Sequence, residues 1–165
     1  MVKRGIQIDI PGFRKLDIRA LCSDYTGTLS LEGELIRGVK KRLRKLASLV
    51  DIYVLTSDTR GTAKVELQRI PLNPIIVEGR KHDVEKRSYL RKNLEPKHVA
   101  VLGNGRNDKL WLREVSEAGG LAIAVDVGEG CAIEALQSAD IFVCGITNAL
   151  DLLLDSDRAK ATLRS

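Results

Sequence analysis

The feature that most restricts what this chain can fold into is a repeated alternation: a short apolar run, a turn, then an amphipathic stretch. The runs fall at residues 18–23, 51–55, 74–77, 98–102, 121–125 and 140–143. They are rich in β-branched residues and apolar at successive positions, as strands buried on both faces are. Helical spacing fills the intervals at 36–50, 60–69, 82–94, 107–118, 131–137 and 146–154. This order predicts an α/β fold, a three-layer, Rossmann-like parallel sheet with helices on both faces and right-handed crossovers. One domain over residues 1–165 suits that length. One segment departs from the alternation. Residues 28–35 read T-L-S-L-E-G-E-L, which predicts a tight hairpin around Glu32-Gly33, a flap beside the first strand's loop.

Composition narrows the function classes. Aromatics are only 4% of the chain, too few for a surface that stacks bases, so nucleic acid is not the expected partner. The net charge of +5 suits anionic small molecules without naming one. The densest basic run, Lys40 to Lys45, is interleaved with Ile36, Val39, Leu43, Leu46 and Val50, the pattern of one wet helix face. Cys22, Cys131 and Cys144 form no metal-binding or disulfide pattern and are expected as buried, reduced thiols. With no apolar leader and no run long enough to cross a bilayer, the expected location is the cytoplasm, away from membranes.

In open parallel sheets, ligands gather at the carboxyl ends of the strands. Asp24, Thr56, Gly103 to Asp108, and Asp126 to Gly130 all fall there. The first strand ends S-D-Y-T-G-T, a carboxylate followed by a turn whose Gly27 lets backbone amides face an anion. Such a carboxylate is a candidate nucleophile towards phosphorus; its duller alternative is a turn cap. Thr56 and Ser57 offer a hydroxyl and an amide at the second strand's end, although Thr56 suits a loop cap equally well. After the fourth run, G-N-G-R-N-D supplies close-approach glycines, oxygen donors for Mg²⁺ in Asn104 and Asp108, and a phosphate donor in Asn107. A dinucleotide fingerprint lacks its third glycine there. A balancing cation is sought in Lys86, with Lys81 as the alternative.

Together these residues resemble the haloacid-dehalogenase-like phosphohydrolase superfamily, within it the short soluble proteins related to the phosphorylation domain of P-type ATPases. Asp24-Tyr25-Thr26-Gly27-Thr28-Leu29 is similar to the first motif, Thr56 to the second, Lys86 to the third and Gly103 to Asp108 to the fourth. The resemblance implies that Asp24 forms an aspartyl-phosphate. Thr26, Gly27, Thr56, Ser57, Lys86 and Asn107 would hold the phosphate. Asp24, the Thr26 carbonyl, Asn104 and Asp108 would hold Mg²⁺.

Two positions depart from the pattern. Thr26 stands where most of these phosphatases carry an acid/base Asp, as in the transport ATPases; losing that group costs roughly 10²–10⁴-fold in rate. Asn104 stands where most have a metal-binding Asp, so weak Mg²⁺ affinity is expected. Only about thirty residues separate Asp24 from Thr56, and Thr56 from Lys86, which leaves no space for a cap domain. An open site implies a macromolecular substrate or a neighbouring subunit as lid, and a homo-oligomer is expected. The expected function is a slow, Mg²⁺-dependent phosphohydrolase or phosphotransferase acting on a phosphorylated substrate. The alternatives are a non-catalytic phosphate-binding domain and a receiver-like phospho-acceptor module.

Overall fold

The computed structural model describes residues 2–165. Before the sheet begins, β1 (Ile6–Ile10) and β2 (Arg14–Ile18) form an antiparallel hairpin around Pro11-Gly12. Ile6, Ile8, Ile10, Leu16 and Ile18 alternate with polar residues and are all buried. The chain enters the central sheet through β3 (Ala20–Asp24), which is buried along its whole length. Next come β4 (Ser30–Leu31) and β5 (Glu34–Leu35), the expected flap, then α1 (Val39–Ala47), β6 (Asp51–Thr56), α2 (Ala63–Leu67) and β7 (Asn73–Ile76). The second half runs α3 (His82–Asn93), β8 (Val99–Gly103), α4 (Lys109–Ala118), β9 (Leu121–Asp126), α5 (Ile133–Ser138), β10 (Ile141–Cys144), α6 (Ile146–Leu154) and α7 (Ser156–Leu163).

All six central strands pair in parallel, in the order β10-β9-β8-β3-β6-β7. Numbered by first appearance in the sheet, this is 6-5-4-1-2-3, the doubly wound order whose ligand crevice opens where the winding reverses. That reversal lies between β3 and β8. Side chains on β3 alternate between two cores. Leu21 joins Val54, Leu102 and Ile123 beneath α1, α6 and the β1–β2 hairpin, whereas Cys22 joins Val101, Leu90, Trp111 and Leu112 beneath α3 and α4. Burial on both faces explains why the strands read as continuous apolar runs.

Several expectations shift in detail. The helices expected at 36–50 and 60–69 are trimmed to Val39–Ala47 and Ala63–Leu67. The segment 107–118 opens with a 3-10 turn, Arg106–Asp108, before α4 begins. The basic run does lie on α1's outer side, with Lys41, Arg44 and Lys45 exposed and Val39, Leu43 and Leu46 buried. The cysteine expectation needs correction: all three thiols are free, but only Cys22 is buried, Cys131 is half-buried and Cys144 is exposed at the end of edge strand β10. No helix among the described residues is long and apolar enough to cross a membrane.

Candidate active site

The crevice between β3 and β8 holds a buried charge cluster. Asp24, the last residue of β3, is 5% exposed; Asp108, from the 3-10 turn after β8, is 0% exposed. Between them lies Lys86, 1% exposed, which comes from the second turn of α3 with Leu90 buried one turn further on. Its ammonium donates to Asp24 Oδ1 at 2.9 Å and to Asp108 Oδ1 at 2.8 Å, and lies 5.1 Å from the centre of the Trp111 ring. Lys81 is exposed at the N-cap of α3 and takes no part, so Lys86 alone is the cation here.

Three charges in a dry crevice change one another's proton affinity. Burial, reinforced by the neighbouring charge of Asp108, pushes the Asp24 carboxyl up to about 7 against the pull of Lys86. Burial alone would lower Lys86, but Asp108 and Asp24 outweigh it and hold the ammonium above its ordinary value. Lys86 is therefore a permanent cation, and Asp24 is the member that changes charge near neutrality.

Both oxygens of Asp108 accept hydrogen bonds. Oδ1 accepts from Lys86, while Oδ2 accepts from the backbone N–H groups of Asn104 and Gly105, both at 3.0 Å. Gly103 makes this possible, since a Cβ there would come within 2.5 Å of the Asp108 side chain. In this structure Asp108, expected as a metal ligand, holds Lys86 and shapes the loop.

Besides Asp108, the candidate oxygen donors for a cation are Asp24, the Thr26 carbonyl and Asn104. Asp24, Thr26 and Asn104 line one cleft of about 180 Å³ with Thr56, Ser57, Lys86 and Asn107. Asn104 Oδ1 is fixed by the Thr28 hydroxyl, which donates to it at 3.2 Å. Among the described residues, no group of three or more His, Cys, Asp or Glu side chains is placed to hold a metal. An all-oxygen set suits Mg²⁺ that takes its remaining ligands from water and substrate phosphate, and it suits no thiolate- or imidazole-seeking metal.

Gly27, expected to let amides face an anion, has its own N–H engaged within the turn, donating to the Ser30 carbonyl. What the position requires is a φ of +71° and room: a Cβ would meet Asn104 Nδ2 at 2.5 Å and Glu129 Oε2 at 2.8 Å. Thr56 caps its loop, since Oγ1 accepts the Asp58 N–H at 3.1 Å, and the residue lines the cleft. Thr59 and His82 also line the cleft, and sequence reasoning did not single them out. Thr59 lies in a turn and His82 is the first residue of α3, and neither position carries a periodic signal that would have found it.

The flap turns through Glu32 (φ 55°) and Gly33 (φ 91°), the positive pair of a tight hairpin turn. It is tied down on two sides. Glu129 Oε1 accepts the Glu32 N–H at 3.0 Å, and Arg60 donates to the Glu32 carbonyl at 2.7 Å. Tyr25 and Thr62 both donate to the Gly33 carbonyl, at 3.0 and 3.1 Å.

The phosphatase of 3-deoxy-D-manno-octulosonate 8-phosphate from Moraxella catarrhalis, solved with magnesium, phosphate and KDO, superposes with a TM-score of 0.63 at 16% identity, over 89% of this chain and 94% of its own. The cobalt-bound enzyme of the same activity from Haemophilus influenzae gives 0.65 at 10% identity, over 90% and 94%. A haloacid-dehalogenase-like hydrolase from Streptococcus pneumoniae gives 0.58 at 14%, over 81% and 97%. This chain has the haloacid-dehalogenase-like fold. It carries that fold over nearly its whole length and without a cap domain. No protein-family model matches the sequence. An uncharacterized protein of Methanocaldococcus jannaschii is 41% identical over 75 residues, which span 46% of this chain and 76% of that protein. The two belong to one family.

Proposed function

We propose that this haloacid-dehalogenase-like chain is a Mg²⁺-dependent phosphohydrolase or phosphotransferase whose nucleophile is Asp24. The observation that carries this reading is the placement of Lys86, buried between Asp24 and Asp108 on the floor of a cleft lined by Thr56, Ser57 and Asn107. A buried carboxylate fixed by an ammonium, with hydroxyl and amide donors around one small opening, is arranged for phosphoryl transfer rather than for structure alone.

A bound phosphomonoester would place its phosphoryl oxygens against Lys86, the Thr56 hydroxyl, and the Ser57 and Asn107 donors. An Asp24 oxygen forms a bond to phosphorus, the bond from phosphorus to the leaving-group oxygen breaks, and an aspartyl-phosphate results. Water then attacks that phosphorus, releases inorganic phosphate and restores the carboxylate. Mg²⁺ held by Asp24, the Thr26 carbonyl and Asn104 would neutralise phosphate charge that Lys86 alone leaves unbalanced.

Thr26 cannot protonate a leaving group or deprotonate water. The first step therefore suits good leaving groups, and the second is slow, by roughly 10²–10⁴-fold relative to a site with a positioned acid/base. The same residue type stands at this position in the transport ATPases. Phosphorylated sugars are the substrate class suggested by the octulosonate-phosphate phosphatases. Without a cap, the cleft needs a macromolecular substrate or a second subunit to close it, and a homo-oligomer belongs to the proposal.

A second reading, a phosphate-binding domain without turnover, is favoured by Thr26 and Asn104 alone. Incubation with Mg²⁺ and p-nitrophenyl phosphate or acetyl phosphate separates the two. Turnover that disappears in Asp24→Asn supports catalysis; phosphate binding without adduct or turnover supports the domain reading.

A further inference from the structure

A second opening of about 230 Å³ adjoins the catalytic cleft and shares His82 and Asn107 with it. Its other lining residues are Arg80, Asp83, Arg106 and Lys109. Three fixed cations therefore face a single carboxylate at a point continuous with the phosphoryl pocket. Two of the cations are partly engaged: Arg106 Nε lies 2.8 Å from Glu134, and Lys109 Nζ lies 3.9 Å from Asp83. Arg80 has no carboxylate partner among the described residues, and Arg106 remains 72% exposed at its side chain. Glu134 and Asp83 offset part of the field without cancelling it.

From this arrangement we infer that the substrate carries a second anionic group, a carboxylate or another phosphate, bound by Arg80 and Arg106 with Lys109 behind them. The inference rests on the reading that the first cleft holds a phosphoryl group. The two openings share His82 and Asn107, so one elongated molecule with two anionic groups spans them with its phosphoryl end on Lys86. Guanidinium groups suit this role, because each presents a planar fork matched to carboxylate or phosphate oxygens. A neutral sugar phosphate or an aryl phosphate would leave the second opening to water and gain nothing from it. Specificity then resides at this rim, while the chemistry resides at Asp24.

Three ligands that cannot be hydrolysed test the idea by calorimetry in the presence of Mg²⁺: propylphosphonate, 3-phosphonopropionate and propane-1,3-diphosphonate. The native chain is expected to bind at least one dianionic ligand about tenfold more tightly than propylphosphonate, the gain of one charge-assisted contact. That advantage is expected to vanish in Arg80→Gln/Arg106→Gln, with propylphosphonate affinity unchanged. Comparing the two proteins cancels any chelation of Mg²⁺ by the diphosphonate, and the preferred ligand shows whether the second group is a carboxylate or a phosphate. Equal affinities for all three ligands, or an advantage that survives the double substitution, overturns the inference. If none of the three binds, the phosphoryl-cleft reading falls and takes this one with it. If the rim preference holds while p-nitrophenyl phosphate is not turned over, only the catalytic reading fails.

Discussion

The ammonium of Lys86 lies 2.9 Å from Asp24 Oδ1, although the two residues are 62 positions apart in the chain. The same ammonium reaches Asp108, so one side chain joins the ends of β3 and β8 to the first turns of α3. Breaking a buried ion pair by removing one partner costs about 3–5 kcal/mol, because the remaining charge is stranded. Lys86→Met is therefore expected to lower unfolding free energy by about that amount, measured by urea denaturation, and to abolish turnover. Adding Asp24→Asn to it should restore part of the stability and none of the activity.

Asp24 gives the metal-free protein a characteristic pH response. Its folded-state pKa, about 7, lies above the ordinary value of 3.8, so the folded chain binds a proton that the unfolded chain has already released. The sign follows from linkage: the stabilisation is fully present below the unfolded pKa and is lost as pH rises through the folded one. In EDTA, the stability of the native chain should fall relative to Asp24→Asn between pH 4 and pH 7, then run parallel to it. A divalent cation beside the carboxylate favours the anion, so Mg²⁺ with phosphate should remove the slope. Differential scanning fluorimetry across that range reads both effects.

Thr26 is exposed on the cleft wall, where a larger polar side chain meets no packing penalty. Thr26→Asp is expected to raise the rate of phospho-enzyme hydrolysis by roughly 10²–10⁴-fold, the value of a positioned acid/base. Rapid-quench measurement with a radiolabelled acyl phosphate would show the adduct accumulating in the native chain and not in the variant. A rate that stays flat would locate the slow step elsewhere.

Asn104→Asp adds a carboxylate to the metal end and keeps the acceptor that Thr28 holds, while losing the Asn104 contact with the Gly130 carbonyl at 3.3 Å. The Mg²⁺ concentration for half-maximal activity should drop several-fold. Titration of intrinsic fluorescence with Mg²⁺ and phosphate provides a readout independent of turnover.

Gly27→Ala combines an unfavourable left-handed backbone, worth about 1–2 kcal/mol, with a collision against Asn104. The collision moves a proposed metal donor, so activity should fall by more than the loss of stability accounts for. Comparing specific activity at a temperature where both proteins remain folded checks this.

Much of the fold was legible because its signals are local. Short β-branched runs separated by helical periodicity forecast the six parallel strands, and the rule for ligand position directed attention to the end of β3, the end of β6 and the loop after β8. The N-terminal hairpin was overlooked although I-Q-I-D-I and R-K-L-D-I alternate with period two around Pro11-Gly12. It lies outside the strand-helix rhythm that dominated the reading. Helix α7 left a faint trace, since Ala159 is its one buried residue among many polar ones. Helix ends at 36–50 and 60–69 were overextended because the flanking residues fit the apolar spacing but belong to turns.

The sequence by itself determined the layered α/β architecture and singled out Asp24 as the candidate nucleophile, because periodicity and residue chemistry are properties of short segments; Thr26 in the place of an acid/base is what the family resemblance implies. Only the tertiary structure decided that Lys86 rather than Lys81 meets Asp24, that Asp108 accepts from Lys86 and two loop amides, and that Gly27 makes room for Asn104. Those choices depend on which donors and acceptors from distant segments come within 3 Å of one another, and chain order carries no record of such distances.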